Sequence, residues 1–343
     1  MIPGDGHNEI RRRLRNAIEQ SGVHFNPDAH EVYLNRQLMK SSILASKIIK
    51  RLNACATPAT RTEFSLLQGV PFMTAFAYTA TDCLYHLMAH QTDNLDDVRH
   101  AFSLFVIGSA VFDYICDVDV TLFPTIINRI SEDQLRLCLW GYTKPLFSNL
   151  EDPPLLRYAA ILIEDKVYLC RKLMKETNHS NAVTLRQRFT DAVIELYRAE
   201  VDSSRADTIL MKDNSVHSRE DVWINSLLML YSLIALTPDV SQKIEADKVK
   251  EKIRMIGRLF VLIDDIIDLE ADWYNQSPNL LLQKIGFQSI LSDDYTVSFP
   301  WEIVLGHKLC DSYMNEITSL LSCVLDPSYE EDLIGWLYSW LKS

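Results

Sequence analysis

The sequence predicts an all-α protein, and three observations lead to this fold class. Glycine contributes only 10 of the 343 residues and proline 12, while 48% of the residues are hydrophobic. Sheets and sandwiches need many tight turns, and glycine supplies the positive φ angles of many such turns. Apolar residues recur at helical spacing along nearly the whole chain. We therefore expect one helical bundle domain over residues 1–343, with a partly flexible N-terminal segment over 1–27.

Polar residues that can cap helices set the expected boundaries in the first half of the chain. A helix over 32–53 follows the polar segment HFNPDAH, and TDNLDD separates two strongly apolar helices over 71–90 and 98–118. Ser131 begins a helix over 131–147, because a serine side chain can accept hydrogen bonds from the first turn. The acidic residues after it suit the positive end of the helix dipole.

The second half of the chain continues the same pattern. A helix over 155–176 follows EDPP, and one over 183–202 follows the polar loop ETNHSN. A helix over 217–236 ends at TPD, and a long amphipathic helix covers about 241–271. The last two helices, over 301–325 and 329–341, follow the polar segment LSDDYTVSFP. We count about ten to twelve helices and no internal repeat.

The charge and cysteine content exclude several functions. There are 34 Lys and Arg against 46 Asp and Glu, a net charge of -12, which argues against binding to nucleic acid or to anionic membranes. The apolar stretches are about half the length of a membrane span, so no stable membrane insertion is expected. Seven scattered cysteines without a CxxC pair, together with an N-terminus that lacks an apolar core, predict a reduced protein of the cytoplasm.

Two carboxylate clusters stand at the ends of apolar helices. In the first, AFSLFVIGSAVFDYICDVD, Asp113 and Asp117 lie four residues apart and therefore on one helix face. Phe102, Val106 and Ser109 precede them on that face. Like charges at this spacing repel each other, and an acidic helix C-terminus is disfavoured by the helix dipole. A cation bound between the carboxylates would remove both penalties.

The second cluster, FVLIDDIIDLEAD, repeats this design. Asp264, Asp268 and Asp272 follow one another at intervals of one helical turn, with Phe260 one turn upstream. A solvated acidic helix end is the simpler explanation of one such cluster, but two clusters of the same design favour a binding site.

Carboxylates without histidine or cysteine indicate a hard cation such as Mg²⁺, which binds few protein ligands and completes its shell with water and substrate phosphates. Two such helices facing each other would hold a diphosphate through several Mg²⁺ ions, three in our prediction. The apolar walls beneath would hold a hydrocarbon tail. This combination describes an isoprenoid diphosphate, whose ionisation leaves an allylic carbocation that aromatic faces can stabilise.

These motifs resemble those of the class I terpene synthases, which have the isoprenoid-synthase helical fold with a central apolar cavity. Asp113 and Asp117 resemble the first and last positions of the family's DDxxD motif, with Tyr114 in place of the second aspartate. Asp264, Asp268 and Asp272 resemble its second metal motif, with aspartate in place of the usual hydroxyl residue. The resemblance covers roughly residues 70–325. The chain length and motif interval are similar to those of a single-domain microbial or fungal cyclase, for example a fungal sesquiterpene cyclase of the humulene synthase type.

The resemblance also implies diphosphate-binding and cavity residues. Arg219 precedes the second motif at about the interval of the family's diphosphate-sensing arginine, and Trp223 lies one turn further on. An arginine can pair with a phosphate through two hydrogen bonds. Arg258 and Arg254, on the metal helix itself, are rival diphosphate contacts, while the family's late Arg-Tyr pair is not evident. The predicted cavity wall consists of Phe102, Val106, Ser109, Trp223 and Phe260.

The resemblance implies a magnesium-dependent lyase that cyclises a linear prenyl diphosphate, with farnesyl diphosphate as the default substrate. In this interpretation Asp113, Asp264 and Arg219 are the catalytic residues. Dimers are common in this fold, so a homodimer is compatible with it.

Two other functions stay open at this stage. A prenyl-coupling enzyme of the trans-prenyl diphosphate synthase or squalene and phytoene synthase type shares the aspartate motifs, although its usual N-terminal basic pattern is missing. A non-enzymatic helical interaction protein would instead show apolar stripes on its surface. His86 and His90 are spaced for a metal ion, but we interpret them as ordinary helix histidines.

Overall fold

A computed structural model describes residues 5–24, 26–54, 66–88, 95–118, 123–145, 147–149, 151–177, 181–208, 215–237, 246–275, 279–286 and 299–342. In these ranges all regular secondary structure is helical, which confirms the predicted all-α class. The helices are α1 (Asp5–Gln20), α2 (Pro27–Asn53), α3 (Leu66–Leu87), α4 (Asp96–Val118), α5 (Phe123–Arg129), α6 (Glu132–Leu139), α7 (Pro154–Glu176), α8 (Ala182–Thr208), α9 (Ser215–Ile234), α10 (Ala246–Ile267), α11 (Leu269–Asn275), α12 (Leu280–Ile285), α13 (Trp301–Gly306), α14 (Lys308–Val324) and α15 (Glu330–Lys342).

The helix that Ser131 was expected to cap shows the predicted N-terminus. The Ser131 side chain accepts a hydrogen bond from the backbone N–H of Gln134, and the Gln134 side chain accepts one from the backbone N–H of Ser131. This reciprocal capping box satisfies two backbone donors that the helix cannot satisfy itself. The helix is shorter than predicted, because Gly141 adopts a positive φ of 83° directly after its last turn.

The N-terminal segment, for which the sequence predicted partial flexibility, contains helix α1. Helix α1 packs against α10, α13 and α14, and it buries Ile10, Leu14 and Ile18 completely. These three residues recur at intervals of four along one face of α1, which is the pattern of a core-facing helix.

Helix α10 packs against several other helices of the bundle. Contacts join α2 to α3, α3 to α4, α4 to α7, α8 to α9, and α9 to α10, while α14 and α1 also pack against α10. One continuous apolar core connects these helices. No helix among the described residues is long and apolar enough to cross a membrane. The five cysteines whose state is described are free thiols.

A polar network ties α15 to α2 and α3. The Tyr33 hydroxyl donates to Asp332 at 2.6 Å, and His86 Nδ1 lies 2.5 Å from the other oxygen of Asp332. Gln37 donates to Tyr33 and, at 3.3 Å, to the buried Asp82. The partner of His86 is therefore a carboxylate, while His90 lies outside the described residues.

Protein stability should fall with rising pH in a way that depends on His86. The hydrogen bond to Asp332 raises the pKa of His86, so the folded protein holds this proton more tightly than the unfolded chain does. The resulting stabilisation is complete below the unfolded-state pKa of about 6.5 and is lost as pH rises through the raised pKa. Because 46% of the side chain is exposed, we expect an effect of only about 1–2 °C in melting temperature.

Thermal melts of the wild type and of His86→Gln between about pH 6 and pH 9 measure this effect. Glutamine can still donate to Asp332 but does not titrate, so the melting temperature of the variant should decline less. Equal declines in the two proteins would contradict the role of His86.

Candidate active site

The three aspartates of the second cluster follow one another across the junction between α10 and α11. The junction at Asp268 does not interrupt the helical path, because the Asp268 N–H donates to the Asp264 carbonyl at 2.9 Å and the Asp272 N–H to the Asp268 carbonyl at 2.7 Å. The side chains therefore keep the one-turn spacing that the sequence predicted. Phe260, Ile263, Ile266 and Leu269 are all fully buried, so the carboxylates lie beside an apolar core that continues along α10 and into α11.

Arg219 reaches this cluster from α9. Its guanidinium donates to Asp264 Oδ2 at 2.8 Å and to Asp265 Oδ1 at 3.3 Å. Only 23% of the Arg219 side chain is exposed, against 13% for Asp264 and 1% for Asp265. The structure thus joins the arginine and one of the metal-motif aspartates that the sequence singled out.

A close approach of α9 and α10 supports this pairing. A Cβ atom on Gly257 would lie 2.9 Å from Ile224 Cγ1 and 3.1 Å from the Ile224 Cα. Glycine therefore lets the backbones of the two helices approach within two turns of the Arg219–Asp264 ion pair.

Residues at the start of α12 form hydrogen bonds with the same cluster. Asn279 donates to the Asp265 carbonyl at 2.7 Å and to Asp272 Oδ2 at 2.8 Å, and its side-chain oxygen accepts from the backbone N–H groups of Leu281 and Leu282. The Leu280 N–H donates to Asp265 Oδ2 at 3.2 Å. Asn279 and the central position of Asp265 were missed at the sequence level. The sequence did contain one signal for Asp265: it follows Arg219 by 46 residues, which is about the interval between the diphosphate-sensing arginine and the second motif in the family that the sequence resembles.

The site concentrates negative charge in a poorly solvated place. Burial raises the pKa of Asp264 to about 6, against the opposing effect of the Arg219 cation. Burial likewise raises the pKa of Asp265 to about 7, and that of Asp272 to about 7. For Asp268 burial raises the pKa, while Arg219 and then Arg11 oppose the rise. The partly buried Arg219 thus stands among four carboxyl groups, whose charged forms a further cation would stabilise.

Arg11 comes from α1, so the N-terminal helix contributes positive charge beside the second aspartate cluster. This contribution had no counterpart in the sequence analysis, because residues 1–27 carry no motif.

The donor set fits magnesium. All four side chains offer carboxylate oxygen, the ligand that Mg²⁺ prefers. Among the described residues, no three His, Cys, Asp or Glu side chains surround one point where an ion could sit. Mg²⁺ usually takes one or two carboxylates and completes its shell with substrate phosphate, so this arrangement is compatible with a metal that binds together with a diphosphate.

The first aspartate cluster lies on α4, as predicted, but the side chains of Asp113 and Asp117 lie outside what the structure describes. The residues upstream of them are described. Phe102 is 2% exposed and stacks on Phe105 with 5.6 Å between ring centroids, and Val106 is partly buried against the core. The Ser109 hydroxyl donates to Glu200 at 3.0 Å.

Trp223 and Phe260 belong to a packed aromatic cluster. Their rings stack at 5.4 Å with an interplanar angle of 14°, and Phe260 lies 4.2 Å from the ring of Trp336. Phe76 completes the cluster with edge contacts to all three rings. Because Phe260 and Trp336 are fully buried, this part of the predicted cavity wall is solid core. Of the five predicted wall residues, Ser109 is the one that lines the described apolar cavity, which lies between α4, α5, α6, α7 and α8.

Arg258 takes a different role from Arg219 among the described residues. It pairs with Glu220 at 3.2 Å and with Glu316 at 2.6 Å, and it thereby joins α9, α10 and α14. Arg254 pairs with Glu251 on its own helix at 3.4 Å. The ion pairs recorded for Arg258 and Arg254 are with glutamates, whereas Arg219 pairs with aspartates of the second cluster, which makes Arg219 the stronger diphosphate candidate.

Comparison of the chain with protein-family models, with curated proteins and with solved structures found no match.

Proposed function

We propose that this protein is a magnesium-dependent terpene cyclase that ionises a linear prenyl diphosphate, with farnesyl diphosphate as the default substrate. The observation that carries the proposal is the ion pairing of the Arg219 guanidinium with Asp264 and Asp265. Asp268 and Asp272 follow Asp264 at intervals of one helical turn, where α10 ends and α11 begins. An arginine of this kind can bind a phosphoryl group through paired hydrogen bonds, and carboxylates in this arrangement can hold the metal ions of a metal–diphosphate complex.

Different residues would bind the diphosphate and the metal ions. Without substrate, Arg219 neutralises part of the charge of Asp264 and Asp265. Its planar guanidinium can form the same paired hydrogen bonds with the oxygens of a diphosphate. Asp264, Asp268 and Asp272 would then hold magnesium on one side of the substrate, and Asp113 and Asp117 on the other. Bound Mg²⁺ supplies the positive charge that stabilises the departing diphosphate.

The apolar part of the site must hold the hydrocarbon chain away from water. Phe260 lies one helical turn before Asp264, and Trp223 one turn after Arg219, so both polar groups of the ion pair adjoin the stacked rings. Aromatic faces stabilise positive charge by about 0.5–2 kcal/mol each, which suits a carbocation formed next to them. In the free protein these rings are packed, so binding requires the rings to separate or the hydrocarbon chain to lie along their edge.

The free thiols fit a cytosolic location, which is part of this proposal.

A helical interaction protein is the second candidate, and one observation favours it. Val32, Met39 and Ile43 are 69%, 77% and 71% exposed, and they share one face of α2. A surface stripe of this kind is typical of helix–helix association between proteins.

The decisive experiment incubates the purified protein with Mg²⁺ and with C10, C15 or C20 prenyl diphosphates singly, followed by analysis of volatile products. A hydrocarbon from one substrate, absent when a chelator removes the metal, supports cyclisation. Product that forms only after addition of isopentenyl diphosphate would indicate chain elongation instead. Absence of product, together with absence of magnesium-dependent diphosphate binding, would refute the enzyme proposal and favour the interaction protein.

A further inference from the structure

A second place with unusual chemistry is a cavity of about 110 Å³ between α4, α5, α6, α7 and α8. Its walls are mainly aliphatic and aromatic, with residues such as Leu104, Ile163 and Val193. Three side chains of different chemistry share the space: Lys166, Glu200 and Ser109. An apolar cavity of about 150 Å³ can hold benzene, so this cavity suits a molecule of similar or smaller size.

Lys166 places an amine against an apolar wall. Its Nζ atom lies 4.3 Å from the centroid of the Phe105 ring. Burial lowers the pKa of Lys166 to about 8, and the nearby Glu200 only partly opposes this effect. At pH 7, about one tenth of the protein molecules then carry Lys166 as a neutral amine, a far larger share than for an ordinary lysine. A desolvated lysine in an apolar pocket is the usual form of a nucleophilic amine.

Glu200 supplies a group that can carry a proton in the same cavity. Its Oε1 accepts a hydrogen bond from Ser109 at 3.0 Å, which helps to orient the carboxyl group. Burial raises the pKa of Glu200, so its protonated form persists to a higher pH than in water. A carboxyl group of this kind can act as a general acid and base.

The charges in the cavity favour a neutral ligand. One amine and one carboxyl group give no net charge that would attract an anion or a cation. A carbonyl compound matches both groups, because its carbon accepts the amine lone pair and its oxygen accepts a proton. The volume limits the hydrocarbon part to a few carbon atoms.

We infer that this cavity binds a small apolar aldehyde and that Lys166 condenses with it to an imine, assisted by Glu200. The Lys166 lone pair forms a bond to the carbonyl carbon, and the oxygen takes up the proton of Glu200. The nitrogen then loses a proton to Glu200, and Glu200 returns this proton to the hydroxyl oxygen as the C–O bond breaks and water leaves. The iminium nitrogen finally gives its remaining proton back to the Glu200 carboxylate. Amine and aldehyde thus give imine and water without any oxidation or reduction. This site is separate from the aspartates of α10 and α11 and stands without the proposed cyclisation.

Reductive trapping tests the inference. The full chain is treated with 3-methylbutanal and cyanoborohydride, and the modified lysines are located by peptide mass spectrometry. We expect Lys166 to be modified at least about tenfold faster than Lys172, an exposed lysine on the same helix that pairs with Asp97. Glyoxylate, a charged aldehyde, should show no preference for Lys166.

Two variants complete the test. Lys166→Met should lose the fast label and keep its helical content, since it replaces a buried charge with an apolar chain. Glu200→Gln should slow labelling of Lys166 by about tenfold or more and leave Lys172 unchanged. Equal labelling of Lys166 and Lys172 in the wild type, a stable adduct on Cys170 instead, or an unchanged rate in Glu200→Gln would each overturn the inference. The wild-type labelling pattern decides the matter even if a variant does not fold.

Discussion

Replacing Asp264 with Asn should lower turnover of the prenyl diphosphate by about 1000-fold or more while the helical content stays unchanged. Asn has the same shape but cannot share the charge of a metal ion, and it leaves Arg219 with Asp265 as its carboxylate partner among the described residues. The variant should also be no less stable, because it removes one of several carboxylates that burial crowds together. Product formation and the circular dichroism spectrum, measured side by side, check both statements.

The matched control for this variant is Glu251→Gln. Glu251 lies on the same helix, 58% exposed, and pairs with Arg254. The same exchange of a carboxylate for an amide should leave turnover within about twofold of the wild type. Asp113→Asn should behave like Asp264→Asn. Full activity in either aspartate variant would show that the metal assignment is wrong.

Trp336→Ala should destabilise the protein by about 3–5 kcal/mol, the range found for a fully buried tryptophan. Trp336 is 0% exposed and contacts Phe260 at 4.2 Å and Phe76 at 5.4 Å between ring centroids. Its removal leaves a void among α3, α10 and α15 that the surrounding rings can fill only in part. Urea denaturation, followed by circular dichroism, gives the change in the free energy of unfolding.

Tyr168→Ala is the control for aromatic content without burial. Tyr168 is 69% exposed, so its loss should change the free energy of unfolding by less than about 0.5 kcal/mol. Trp336→Phe should fall between the two, because a smaller ring keeps part of the packing. A loss below about 1 kcal/mol in Trp336→Ala would mean that the aromatic cluster is loosely packed and can open easily for a substrate.

The all-α class was predictable because composition and helical periodicity are properties of the chain itself. The N-cap at Ser131 was equally predictable, since its partner Gln134 is only three residues away in the chain. The expected helix over 241–271 was divided by the structure into α10 and α11, yet its hydrogen bonds run through Asp268. The one-turn spacing of the aspartates therefore survives the boundary.

The rest of the site depends on contacts between residues far apart in the chain. Nothing in the local pattern of Asn279 indicates that it donates to Asp265 and Asp272, because that contact exists only after α12 folds back. The same holds for Lys166 and Glu200, which come from α7 and α8 and meet in a cavity. Phe260 and Trp223 were predicted to line a cavity and their rings stack in the structure, but periodicity cannot tell a cavity wall from a solid core.

Gly257 makes the site sensitive to mutation at a position that has no chemistry of its own. A single methyl group there would meet the side chain and backbone of Ile224. The close separation of α9 and α10 therefore depends on the absence of a side chain at residue 257. Most codon changes at this position would push the two helices apart and carry Arg219 away from Asp264. In a library of random variants selected for activity, residue 257 should tolerate almost no replacement, whereas Gly306, with open space around it, should accept many.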